Sequence, residues 1–146
     1  RLVQPGSLNL LGESINLSEI DVPSFFLSAR QDHIAKWKTT YKGALAHGGD
    51  VRFVLSGSGH IAGVINPPYK EKYGYWTNDT LVPDADAWFE GSEHHSGSWW
   101  PYWLEWIAAF TEETVPARTP GDGNLPVLEE APGSYVKVKA ADAAKL

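Results

Sequence analysis

Apolar positions gather in two short runs separated by a stretch with helical spacing. Ile20 to Ser28 (IDVPSFFLS) reads as a strand, with Pro23 near its start, where a missing N–H is tolerated. Arg30-Gln31-Asp32-His33 is polar and reads as a loop. From Ile34 to His47, the residues Ile34, Trp37, Tyr41, Ala44 and Leu45 recur at helical spacing and predict a helix. Gly43 weakens its interior by about 1 kcal/mol relative to Ala. The Gly48-Gly49 pair is expected to end it, because glycine takes the left-handed conformation that closes helices. Asp50 to Leu55 (DVRFVL) predicts a second strand. Strand, helix, strand is a βαβ unit, so the two strands are expected to pair in parallel.

Elsewhere the pattern is weaker. Residues 1–19 read as irregular, broken by Pro5-Gly6 and Gly12. Residues 61–82 are loop-rich, and no further strand is predicted between 61 and 110. Pro83-Asp84 marks a helix start, with Ala85 to His94 behind it. Pro101 opens another helix, to about Phe110. Trp99, Tyr102, Trp103, Trp106 and Phe110 form one aromatic face there, read as core rather than as a ligand groove. Residues 111–146 turn rich in Pro, Gly and Ala and read as an extended tail. The fold class expected is α/β with a mostly parallel sheet. A parallel sheet is buried on both faces, and two strands do not build one. The chain also begins at Arg1 and contains no Met. Both features lead to the expectation of a piece cut from a longer protein.

Composition narrows the class. The 146 residues are 42% apolar and 21% charged, enough for one globular domain with a core. Net charge is −6, and no basic cluster offsets it, which argues against a nucleic-acid partner. No apolar run reaches membrane-spanning length, and the opening residues lack a signal-peptide core. Cysteine is absent, so disulfides and thiolate metal sites are excluded, which suits a cytoplasmic protein.

The candidate chemistry lies after the two strands. Asp32 follows the first. His60 follows the second, in the glycine-rich turn Ser56-Gly57-Ser58-Gly59-His60. Ends of neighbouring parallel strands lie side by side, so the two side chains are placed to meet. A carboxylate on one imidazole nitrogen fixes the tautomer and frees the other nitrogen to act as a general base. Asp32 also suits a helix N-cap, and His60 a solvated turn position; spacing leaves both readings open. No nucleophile is convincing, since Ser56 and Ser58 flank His60 outside any Gly-x-Ser-x-Gly elbow. Glu93-His94-His95 suggests metal ligands but lacks a third, so a structural or solvated pair is expected. His33 and His47 are expected to be solvated or packed.

Several motifs resemble the short-chain type of polyhydroxyalkanoate synthase. They are Gln31-Asp32-His33-Ile34-Ala35-Lys36-Trp37, the run SGSGHIAGVINPP at 56–68, Tyr75-Trp76-Thr77-Asn78, and Gly97-Ser98-Trp99-Trp100-Pro101-Tyr102-Trp103. The tail Ala131-Pro132-Gly133-Ser134-Tyr135-Val136-Lys137-Val138-Lys139-Ala140 is similar to the end of the same family. The resemblance implies the C-terminal portion of an α/β-hydrolase fold, with a catalytic-domain part at 1–110 and a C-terminal tail at 111–146. It implies polymerisation of (R)-3-hydroxyacyl-CoA, typically 3-hydroxybutyryl-CoA, with release of CoA. The Cys–His–Asp triad of the family maps its histidine to His60 and its aspartate to Asp32. The cysteine and the oxyanion-hole donors would lie upstream, so this chain alone is expected to be inactive. No cofactor or metal is implied. The partners implied are the acyl-CoA, the upstream part of the same domain, the growing polyester and its granule surface, and a second copy in a homodimer. An esterase or polyester depolymerase shares the acid–histidine geometry. A non-catalytic module binding granules through its tryptophans is the third reading.

Overall fold

The computed structural model describes residues 2–143. The opening stretch, read as irregular, contains a short hairpin. Strands β1 (Leu8–Leu10) and β2 (Glu13–Ile15) pair antiparallel, and both turn residues, Leu11 and Gly12, have positive φ (52° and 91°). A two-residue hairpin turn needs that conformation to match strand twist.

The apolar runs form the βαβ unit. Strand β3 (Ser24–Ala29), helix α1 (Trp37–Ala46) and strand β4 (Val51–Ser56) follow in order. β3 and β4 are parallel, in register from Ser24 opposite Val51 to Ala29 opposite Ser56. The helix starts later than its apolar spacing suggests. Residues 33–35 form a bend, and Lys36 occupies the cap without a side-chain hydrogen bond. Gly48 and Gly49 serve a different purpose from the one expected. Neither has positive φ, and both donate N–H bonds to the Ile20 carbonyl, at 3.1 and 2.9 Å. A Cβ on Gly49 would lie 2.5 Å from the Asp21 carbonyl oxygen. These glycines are required by close backbone approach rather than by a left-handed turn.

Two further strands went unpredicted, β5 (Tyr75–Thr77) and β6 (Glu93–His95), separated by α2 (Ala85–Glu90). Three residues are too few to show a period-2 pattern. The sheet order is β3-β4-β5-β6, with β4–β5 and β5–β6 both antiparallel. The sheet is therefore mixed rather than mostly parallel, because β4 leads to β5 through a loop and not through a crossover helix. α2 is shorter than expected. Asp84 caps its start by accepting from the Ala87 N–H at 2.8 Å, and the helix ends at Glu90, leaving His94 and His95 on β6.

Alternation along the strands divides the aromatic residues between two layers. Phe53 and Leu55 of β4 face Tyr41 and Ala44 of α1 and Trp88 of α2, and all five are buried. Phe53 meets Tyr41 and Trp88 edge-on, with centroids 5.0 Å apart in each pair. The Tyr41 hydroxyl donates to the Val82 carbonyl at 2.6 Å, and burial pushes that phenol's pKa up. On the other face, Phe25 of β3 contacts Trp99, Tyr102 and Trp106, placing helix α3 (Trp100–Ala108) there.

By internal contacts the chain divides into two units, Arg1–Phe110 and Thr111–Leu146. The second holds one turn of 3-10 helix at Tyr135–Lys137 and a short helix α4 (Ala140–Ala143); none of its described side chains is buried. Among the described residues no helix is long and apolar enough to cross a membrane.

Trp88 is fully buried at the centre of the aromatic core. Its replacement by Ala is expected to cost about 3–5 kcal/mol, read as a lowered urea midpoint.

Candidate functional site

The parallel ladder continues past the ends of its strands. The Arg30 N–H donates to the Ser56 carbonyl at 2.8 Å, and the Gln31 N–H to the Ser58 carbonyl at 2.9 Å. These bonds hold the two strand-end loops together where Asp32 and His60 emerge. His60 Nδ1 lies 2.7 Å from Asp32 Oδ2. An ionised carboxylate only accepts, so Nδ1 carries the proton, and Nε2 of the neutral ring is left with its lone pair. The His60 side chain is 47% exposed and that of Asp32 only 7%.

Asp32 has a second function at its other oxygen. Oδ1 accepts from the Ile34 N–H at 2.8 Å and the Ala35 N–H at 2.9 Å. The N-cap expectation is thus displaced by one turn: Asp32 caps the bend before α1, not the helix itself. The same carboxylate holds both the turn and the imidazole. The His60 hydrogen bond holds the Asp32 pKa below the ordinary 3.8, against the opposing effect of desolvation; the two backbone bonds and the imidazole's charge add to the lowering.

The turn bearing His60 is tightly built. Gly63 donates to the Gly59 carbonyl at 2.9 Å, and Ile65 to the Ile61 carbonyl at 2.8 Å, a single helical turn. The buried Ser56 hydroxyl donates to the Gly63 carbonyl at 2.7 Å, which makes it a turn residue rather than a nucleophile. A Cβ on Gly63 would lie 2.5 Å from the Gly57 carbonyl oxygen and 2.8 Å from the Ala29 Cβ. Asn66, 1% exposed, closes the segment through Nδ2, which donates to the Lys72 carbonyl at 2.7 Å.

The aromatic face at 99–110 departs from the core reading. No residue of α3 is buried; Trp103 is 39% exposed and Leu104 61%. Trp99, Trp100, Pro101, Trp103 and Leu104, with Pro68, line an apolar groove of about 460 Å³. Trp99 and Trp100 also reach the His60 turn. Trp99 Nε1 donates to the carbonyls of Gly63 and Val64, at 3.2 and 3.3 Å, and Trp100 Nε1 donates to Val64 at 3.1 Å. Their spacing in the sequence announced an aromatic face, but nothing in it announced these bonds.

The remaining histidines serve packing or stay solvated. His47 Nδ1 donates to the Gly43 carbonyl at 3.0 Å, and its ring meets Phe26 edge-on. His33 is exposed. His94 and His95 fall on opposite faces of β6: His94 packs on Trp76, while His95 stacks on Tyr75 with Nε2 2.8 Å from Thr77 Oγ1. Among the described residues no cluster of three or more His, Asp or Glu is arranged for a metal.

Fold and site define an α/β protein with an acid–imidazole pair at the ends of adjacent parallel strands. No family model matches the chain. It is 45% identical over 135 residues to the poly(3-hydroxyalkanoate) polymerase subunit PhaC of Rhizobium meliloti, covering 92% of this chain and 22% of that protein. It is 44% identical over 138 residues to the PhaC subunit of Cupriavidus necator, covering 93% and 23%. It is 42% identical over 139 residues to poly(3-hydroxyalkanoate) polymerase 2 of Ectopseudomonas oleovorans, covering 92% and 24%. Over nearly its whole length the chain is similar to a stretch of these poly(3-hydroxyalkanoate) polymerases. It spans about a fifth of the length of the curated relatives it matches.

Two outcomes follow from the geometry. Gly63→Ala is expected to cost about 1–3 kcal/mol through overpacking. Gly59→Ala, where the nearest atom to a new Cβ is 3.8 Å away, should cost less; paired urea titrations compare the two. A carboxyl-detected NMR titration is expected to place the Asp32 midpoint below 3.8. The pair's contribution to stability is then complete above the ordinary carboxylate range and is lost as pH falls through the depressed value.

Proposed function

We propose that this chain supplies the histidine and aspartate of a Cys–His–Asp triad in a polyhydroxyalkanoate synthase whose catalytic domain has an α/β-hydrolase fold. The observation that carries the reading is the 2.7 Å contact between His60 Nδ1 and Asp32 Oδ2 at the ends of adjacent parallel strands. The names of the relatives support the polymerase over an esterase or depolymerase. The chain contains no cysteine, so the nucleophile belongs to the rest of the domain, and this chain by itself is inactive.

The chemistry fits the free Nε2. It takes the proton of the thiol, and the thiolate attacks the thioester carbonyl of a 3-hydroxyacyl-CoA. The carbon–sulfur bond to CoA breaks as the enzyme thioester forms, and the imidazolium returns the proton to the departing CoA. In the next step Nε2 accepts the proton of the 3-hydroxyl of another unit. That oxygen attacks the enzyme thioester, forming the polyester bond and restoring the cysteine thiol. Ionised Asp32 stabilises the imidazolium in both steps. This reading places the protein in the cytoplasm at a polymer granule, with the rest of its domain and a second copy as partners.

The test uses a complete polymerase carrying this segment and measures CoA release from 3-hydroxybutyryl-CoA. His60→Ala is expected to abolish release. Asp32→Asn keeps the backbone cap but presents the wrong tautomer, with an expected loss of about 10³–10⁴-fold in kcat. Near-normal release by His60→Ala would sink the proposal.

A further inference from the structure

What holds the His60 imidazole still is not burial. Its side chain is 47% exposed, and the next residue, Ile61, is 72% exposed. The turn at 59–65 is one isolated helical turn, which has no stability of its own in water. At one end it is tied to Asp32 through the imidazole. At the other end, carbonyls of the kind a helix leaves unsatisfied point out of the turn. The Gly63 carbonyl accepts from the Ser56 hydroxyl and from Trp99 Nε1. The Val64 carbonyl accepts from both indoles and from the Asn66 N–H.

We propose that Trp99 and Trp100 are positioning residues for His60: their indole N–H groups clamp the far end of the turn and so fix the imidazole against Asp32. The proposal rests on the catalytic reading of His60 above. The clamp has a rigid reference. The Trp99 ring packs on Phe25 of β3, the strand that also leads to Asp32. Trp100 is set by the Ser98 hydroxyl, which accepts its backbone N–H at 3.1 Å, and by Pro101 in the first turn of α3. Acid and base are therefore both located from one strand. One connection runs through the chain from β3 to Asp32, the other across the sheet face through Phe25 and the indoles.

These indoles also line the apolar groove, so an ordinary substitution would change two things at once. Replacement by benzothienylalanine keeps the bicyclic ring and removes only the N–H. The analogue is introduced at 99, at 100 and at both positions of a complete polymerase. CoA release from 3-hydroxybutyryl-CoA and amide hydrogen exchange of segment 59–66 are then measured. The double replacement is expected to lower kcat about ten- to a hundredfold with KM within about twofold, since a misplaced base slows chemistry and not binding. Exchange of the segment is expected to quicken about tenfold while the core strands keep their protection. Unchanged exchange would overturn the positioning role alone, as would a fallen kcat with exchange intact, which would make the indoles act on substrate. A kcat within about twofold of the parent despite faster exchange would overturn it as well. Near-normal release by His60→Ala in parallel would overturn the catalytic reading and the positioning role with it.

Discussion

The parallel pairing of β3 with β4 is the constraint on which the rest depends. Its register, Ala29 opposite Ser56, places the ends of both strands at one level. The ladder then runs on through Arg30 and Gln31 into the loop after β4. A slip of one residue would turn Phe53 and Leu55 away from α1 and α2 and carry the loop ends out of step. Tyr41, Phe53 and Trp88 fix β4 against α1 and α2, because three large rings in mutual contact, two of the pairs edge-on, tolerate little displacement. Core and site are thus two results of one alignment.

Asp32 shows how few groups suffice once the strands are set. One oxygen organises backbone and the other organises a side chain, so the carboxylate is both a turn former and an electrostatic partner. The two readings open from spacing alone, cap or acid, are not alternatives. The side chain is short enough that its own turn fixes its direction, and the imidazole meets it from the neighbouring loop.

The sequence made β3, α1 and β4 legible because each has a long apolar pattern and a chain break at its end. The same pattern located Asp32 and His60 as strand-end residues. What it concealed was short or non-local. β5 and β6 have three residues each and exist only because β4 offers an edge to pair with. His94 and His95 fell on a strand because α2, though it starts at the expected place, ends at Glu90 with Gly91 as its C-cap. Gly48 and Gly49 carried a real signal with a different cause, the passage of residues 18–22 against them. The aromatic spacing of Trp99 to Phe110 identified a face but not its exposure, which depends on whether any element covers it.

The two borders of the sheet are unlike. β6 is three residues long and carries Glu93, His94 and His95, a short polar rim that discourages any further strand. β3 lies at the opposite border with six residues, Phe25, Phe26 and Leu27 among them, and no strand on its outer side among the described residues. Its outward amides and carbonyls form a template for whatever extended backbone arrives first. Left uncovered, a border of that length and apolarity is where an extended segment of another chain would add a strand.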